Sequence, residues 1–176
     1  APVAAPSGQK ASIAPLVLPV PIASVDQAGW APTPTGVLEV DRVLGGGLVP
    51  GSVTLLGGEP GIGKSTLLLQ LLAKLAHGGA TCLLVSAEES AQQVRMRAER
   101  LDALAPNLFI VSETSLPSVL GAIDHLSPSF VVVDSIQTVS DPELGSQPGT
   151  VTQVRECAGA LVQRAKQHGP AVLLVG

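Results

Sequence analysis

The chain has 176 residues, 45% hydrophobic and 14% charged, with a net charge of −4. A chain of this length fits one domain that buries about 70% of its unfolded surface without disulfide or metal staples. The acidic balance excludes a bulk cationic field for nucleic acid, so any such contact has to be local.

Residues 1–34 hold seven of the 15 prolines and, apart from Lys10 and Asp26, almost no charge. This Pro/Ala-rich stretch reads as a linker or extended N-terminal segment, partly polyproline II. An edge strand around Leu16 to Ile22 is the alternative, and its prolines argue against it. The run Ile13 to Ala23 is broken by Pro15, Pro19 and Pro21 and lacks a basic flank, so neither a membrane span nor a secretory signal is expected. The chain opens without Met, which suggests a start inside a longer protein.

Residues 35–176 carry the predicted core. Thr35-Gly36 precedes a short helix, Val37 to Leu44, stopped by Gly45-Gly46-Gly47. Pro50-Gly51 is a turn, and Ser52 to Leu56 is the first strand. A helix with Leu67, Leu68, Leu71, Leu72 and Leu75 at helical spacing then runs to Gly78-Gly79. Thr81 to Ser86 is a second buried strand. Ser90-Ala91-Gln92-Gln93 fits a capping box, and Val94, Ala98 and Leu101 continue one helical face. Leu108 to Ser112 is a third strand near an edge, Leu116 to Leu126 a helix, and Phe130 to Val133 a fourth strand ending in Asp134. A loop, Thr138 to Gly149, leads to a second capping box at Thr150 to Gln153. The stripe Val151, Val154, Ala158, Leu161, Val162, Ala165 marks a long amphipathic helix, and Ala171 to Gly176 is a fifth strand whose C-terminal end is expected to fray. Strands alternate with helices and are apolar on both faces. That predicts an α/β fold, a mostly parallel sheet with helices on both faces. Cys82 lies in a strand run and Cys157 on a helix stripe. Both read as reduced core thiols of a cytosolic protein.

The chemistry centres on Gly58-Glu59-Pro60-Gly61-Ile62-Gly63-Lys64-Ser65, which fits G-x-x-x-x-G-K-[ST] between a strand and a helix. Its glycines let backbone N–H groups converge where a helix N-terminus already favours an anion. Lys64 can reach the β- and γ-phosphates of ATP, and Ser65 can hold Mg²⁺. With Thr66, these residues form the candidate nucleotide-binding set. Asp134, at the C-terminal end of an apolar strand, is the candidate carboxylate that holds Mg²⁺ through water. Glu88, just past the second strand, is the candidate general base, with Glu89 as runner-up. Arg95, Arg97 and Arg100, with Glu99 among them, read as a solvated charged face, or else as a DNA or subunit contact.

Several stretches resemble the bacterial RadA (Sms) family of DNA-repair ATPases. They include Asp41-Arg42-Val43-Leu44-Gly45-Gly46-Gly47-Leu48-Val49-Pro50-Gly51-Ser52, Gly61 to Gln70, Glu88 to Gln93, Arg97 to Leu101, Asp134-Ser135-Ile136-Gln137-Thr138 and Gln153 to Ala158. The resemblance implies a RecA-like P-loop NTPase core with strand order 3-2-4-5-1 in a homo-hexameric ring. It implies a DNA-dependent ATPase that processes recombination intermediates as a helicase-like branch-migration motor. Expected partners are single-stranded or branched DNA and a RecA-type recombinase, in the cytoplasm and with no membrane. Lys64, Glu88 and Asp134 match the family's catalytic set. The family's zinc-binding N-terminal module and its Lon-like domain have no counterpart in these 176 residues, so zinc is expected only in that module. These residues alone are therefore expected to bind nucleotide but to hydrolyse it little or not at all. A signalling ATPase similar to KaiC, gating protein partners, is the alternative. A nucleoside or small-molecule kinase is disfavoured, because no arginine-rich lid is recognisable.

Overall fold

The computed structural model describes residues 18–176. Residues 1–17, with the start of the predicted linker, lie outside that range. Helix α1 spans Leu38–Val43, followed by β1 (Val53–Leu56), α2 (Lys64–His77), β2 (Cys82–Ser86), α3 (Ala91–Arg100) and β3 (Leu108–Val111). Then come α4 (Leu116–Leu126), β4 (Phe130–Asp134), α5 (Val151–His168) and β5 (Ala171–Val175). The five strands pair in parallel in the order β1-β5-β4-β2-β3. That is the order implied by the family resemblance.

Strand alternation divides the core between two layers. Cys82, Leu84, Phe130, Val132, Ala171 and Leu173 face α2 and α3. Leu83, Val85, Val131, Val133, Val172 and Leu174 face α4 and α5. Both sets are buried, so the three inner strands are apolar on both faces. Helix α2 supplies the largest inward surface, with Leu68, Leu69, Leu71, Leu72 and Leu75 all buried. Full burial is worth about 1.5–3 kcal/mol per leucine. Strand β3 closes one edge, as predicted, and leaves Phe109 and Ile110 partly exposed.

The segment ahead of α1 is attached to the core. Thr33 and Leu48 exchange backbone hydrogen bonds of 2.8 and 2.9 Å. Gly47 makes that pairing possible: at φ +138, a Cβ there would lie 2.1 Å from the Thr33 carbonyl oxygen. The three-glycine run thus ends α1 and also admits a second backbone. Thr35 and Gly36 are anchored by Asp41, whose carboxylate accepts from Thr35 N and Oγ1 (both 2.7 Å) and from Gly36 N (3.3 Å). These bonds, the Thr35 hydroxyl first, hold the Asp41 pKa below its usual 3.8. A depressed folded pKa stabilises the fold above the unfolded pKa, and the effect is lost as pH falls through the folded value. Asp41→Asn is therefore expected to lower the melting temperature at pH 7. The gap from wild type should narrow as pH falls through the lowered folded pKa, where both states protonate. A gap that is constant with pH would rule out the carboxylate as its source.

Two expectations need correction. Of the predicted α5 stripe, Leu161 and Ala165 are buried and Val154 and Ala158 pack against the core, but Val151 is 86% exposed, and Gln153 and Cys157 complete the buried line at spacing four. Thr150 caps α5 through its side chain, but the reciprocal bond is absent among the described residues. The Thr150 N–H is already given to Gln147 O at 3.3 Å. Freed from the cap, the Gln153 amide donates to the carbonyls of Asp141 (3.1 Å), Leu144 (3.3 Å) and Ser146 (2.8 Å). It accepts from Asp141 N at 3.0 Å. Gln153 therefore folds the loop 138–149 from inside. Gln153→Ala is expected to cost about 1–3 kcal/mol, the penalty for orphaned buried polar groups, read as a lower urea midpoint. An unchanged midpoint would mean the loop is held by other contacts. Strand β5 is paired on both sides, with Gly176 N donating to Leu56 O at 3.1 Å.

Candidate active site

The C-terminal ends of β1, β2 and β4 open on one cleft of about 610 Å³. Gly58, Pro60, Gly61, Gly63, Lys64, Ser65 and Thr66 line it from the phosphate loop, together with Glu88, Arg97, Asp134, Ser135 and Gln137. Two members of the candidate set stand apart. The Ile62 side chain is 71% exposed and does not line the cleft, and Glu59 contributes a carbonyl rather than its carboxylate.

The loop enters α2 through two left-handed glycines, Gly61 (φ 79) and Gly63 (φ 100). Gly63 is the N-cap and offers no side-chain cap to the first helical N–H groups. These orphan donors, with the helix dipole behind them, form an anion site. The Lys64 ammonium donates to Gly58 O at 2.5 Å and Glu59 O at 3.0 Å. An ammonium has three donors, so one remains for a phosphate oxygen.

Asp134 pairs in register with Ser86, and its carbonyl accepts from Ala87 N at 2.8 Å. That bond ties β4 to the β2 exit, which carries Glu88. Ser65 and Asp134 line the same cleft, and a hydroxyl and a carboxylate are the hard oxygen donors Mg²⁺ takes when phosphates complete its shell. Among the described residues no cluster of three or more His, Cys, Asp or Glu is placed to hold a metal alone. The donor set thus suits a cation that arrives with phosphate.

The two glutamates diverge. Glu88 Oε1 accepts from Ser135 Oγ at 2.5 Å, which fixes the carboxylate at the cleft. Glu89 turns to Arg97, with its Oε2 2.8 Å from Nη1. That ion pair takes up the runner-up's carboxylate, leaving Glu88 as the base candidate. It also corrects the reading of the arginines. Arg95 is on the exposed face, paired with Glu99 at 3.1 Å, whereas the Arg97 side chain is only 18% exposed.

A second cleft, of about 440 Å³, lies between α3 and β3. Its lining is apolar except for Arg95, so it offers no acid–base pair.

Residues 33–108 match the family model described as the KaiC ATPase. The chain is similar to proteins named DNA repair protein RadA. It is 48% identical to that of Bacillus subtilis over 90% of this chain and 34% of the relative. It is 49% identical to that of Mycolicibacterium smegmatis over 93% and 36%. It is 46% identical to that of Streptococcus pneumoniae over 90% and 37%. The chain thus spans about a third of the length of the curated relatives it matches.

Proposed function

Because the chain belongs to the RadA family over the stretch it shares with these relatives, we propose that it is the ATP-hydrolysing core of a DNA-dependent motor. That motor acts on recombination intermediates in DNA repair. One observation carries the reading: the phosphate loop, the Ser65–Asp134 pair and Glu88 converge on a single cleft. The loop amides and Lys64 would receive the β- and γ-phosphates of ATP. Ser65, and Asp134 through water, would hold Mg²⁺, which would offset the phosphate charge. Glu88, oriented by Ser135, would take a proton from the water that attacks the γ-phosphorus, as the bond to the β-phosphate oxygen breaks and ADP leaves. The complete protein is proposed to work as a homo-hexamer in the cytoplasm, on single-stranded or branched DNA and with a RecA-type recombinase. Among the described residues no helix is long and apolar enough to cross a membrane.

The family-model match over residues 33–108 favours one second reading, a KaiC-like ATPase whose nucleotide state gates protein partners. Phosphate release by the complete protein separates the two. Stimulation by single-stranded DNA is expected of the motor, and a rate indifferent to DNA supports the gate. The loop 138–149 carries Asp141 and Glu143 and no Lys or Arg. Phosphate contact needs cations, so Asp141→Asn with Glu143→Gln should leave DNA affinity of the complete protein nearly unchanged. A large loss would reveal a contribution other than charge.

A further inference from the structure

Arg97 lines the cleft, yet the reaction described above does not use it. It lies three residues after Val94 and beside Ala98, both buried, so helix geometry turns it inward. Its Nη1 lies 3.0 Å from Glu89 Oε1 and 2.8 Å from Oε2. Its Nε is buried, and no acceptor among the described residues reaches it. A guanidinium has five N–H donors. A largely buried one with a single carboxylate partner is a costly structural pin, and an apolar side chain of similar volume would often serve better.

The support behind Glu89 is equally specific. Its carbonyl accepts from Ser86 Oγ at 2.7 Å, at the end of β2, and from Ser112 Oγ at 3.3 Å, just past β3. Two strand ends thus hold Glu89, and Glu89 holds Arg97. The Glu89 side chain is 41% exposed, so water screens its charge more than that of Arg97. The charged lining of the cleft is Lys64, Arg97, Glu88 and Asp134. Without Arg97, one cation would oppose two carboxylates and an incoming triphosphate.

We propose that Arg97 is a second cation for the phosphate chain, contacting the terminal phosphate of a nucleoside triphosphate, with Glu89 as its positioning residue. Arg97 lines the same cleft as Glu88, the base that works at the terminal phosphate. Lys64 and the loop amides hold the β-phosphate of either nucleotide, and Lys64 also reaches the γ-phosphate of a triphosphate. Arg97 therefore discriminates triphosphate from diphosphate. The inference rests on the nucleotide reading of the cleft.

The test is calorimetry on the 176-residue chain with Mg²⁺ and either a non-hydrolysable ATP analogue or ADP. The variants are Arg97→Gln, Arg97→Lys, Glu89→Gln and Lys64→Ala. Arg97→Gln should weaken triphosphate binding about tenfold or more, the scale of one charge-assisted hydrogen bond. It should weaken ADP binding less than about threefold, so the affinity ratio collapses. Arg97→Lys keeps the charge without the fork and should recover part of the ratio, and it decides the matter if Arg97→Gln does not fold. Glu89→Gln should shift the ratio in the same direction by a smaller amount. A merely structural arginine would lower both affinities together and leave the ratio intact, which overturns the proposal. If Lys64→Ala loses both ligands while the Arg97 variants keep the wild-type ratio, this inference alone fails. If wild type binds neither ligand, the nucleotide reading fails with it.

Discussion

Lys64→Ala is expected to lower Mg-ATP affinity about 10–100-fold and turnover by about 10²–10³ or more. The affinity loss is that of a charge-assisted hydrogen bond to phosphate. The turnover loss is larger, because negative charge on the transferring group needs its fixed cation most at the transition state. Stability should barely change. The Gly58 and Glu59 carbonyls that Lys64 contacts are in an exposed part of the loop, where water can replace the ammonium. Binding is read on this chain, and turnover on the complete protein. A variant that binds and turns over like wild type would remove the loop from the account.

Glu88→Gln should leave nucleotide binding intact, or tighten it by removing a negative charge from the cleft. Turnover of the complete protein should fall by about 10²–10⁴, the usual range for a general base. The substitution keeps an oxygen to accept the 2.5 Å bond from Ser135, so geometry is held while basicity is lost. Glu89→Gln should slow turnover much less, since its carboxylate is bound to Arg97 rather than aimed at water. Reversed effects of the two substitutions would assign the base to Glu89.

Much of this site was legible because its signals are local. The phosphate loop needs only a strand before it and a helix after it, and both lie between Val53 and His77. Asp134 could be read from four apolar residues ending in a carboxylate. Strand order was a different matter. It came with the family resemblance, since parallel strands leave no register mark in sequence.

The capping misreading came from a local pattern overridden by tertiary partners. Thr150 to Gln153 has capping-box spacing, but the loop carbonyls of Asp141, Leu144 and Ser146 drew the Gln153 amide away. Arg97 was grouped with the solvated charges of α3. A signal was available: it falls between Val94 and Leu101 on the inward face, at spacings of three and four. Ser135 could have been found as the residue next to the strand's terminal carboxylate, but its bond to Glu88 spans 47 positions. The anchoring of Thr33 on Leu48 depends likewise on the close approach allowed by Gly47.

The most direct test is a crystal structure of the chain with Mg-ADP. The account predicts the β-phosphate at the α2 N-terminus, bonded by loop amides and Lys64 Nζ, with Mg²⁺ on Ser65 and reaching Asp134 through water. Diphosphate bound elsewhere, such as the apolar cleft between α3 and β3, or a cation bound away from Ser65 and Asp134, would contradict it.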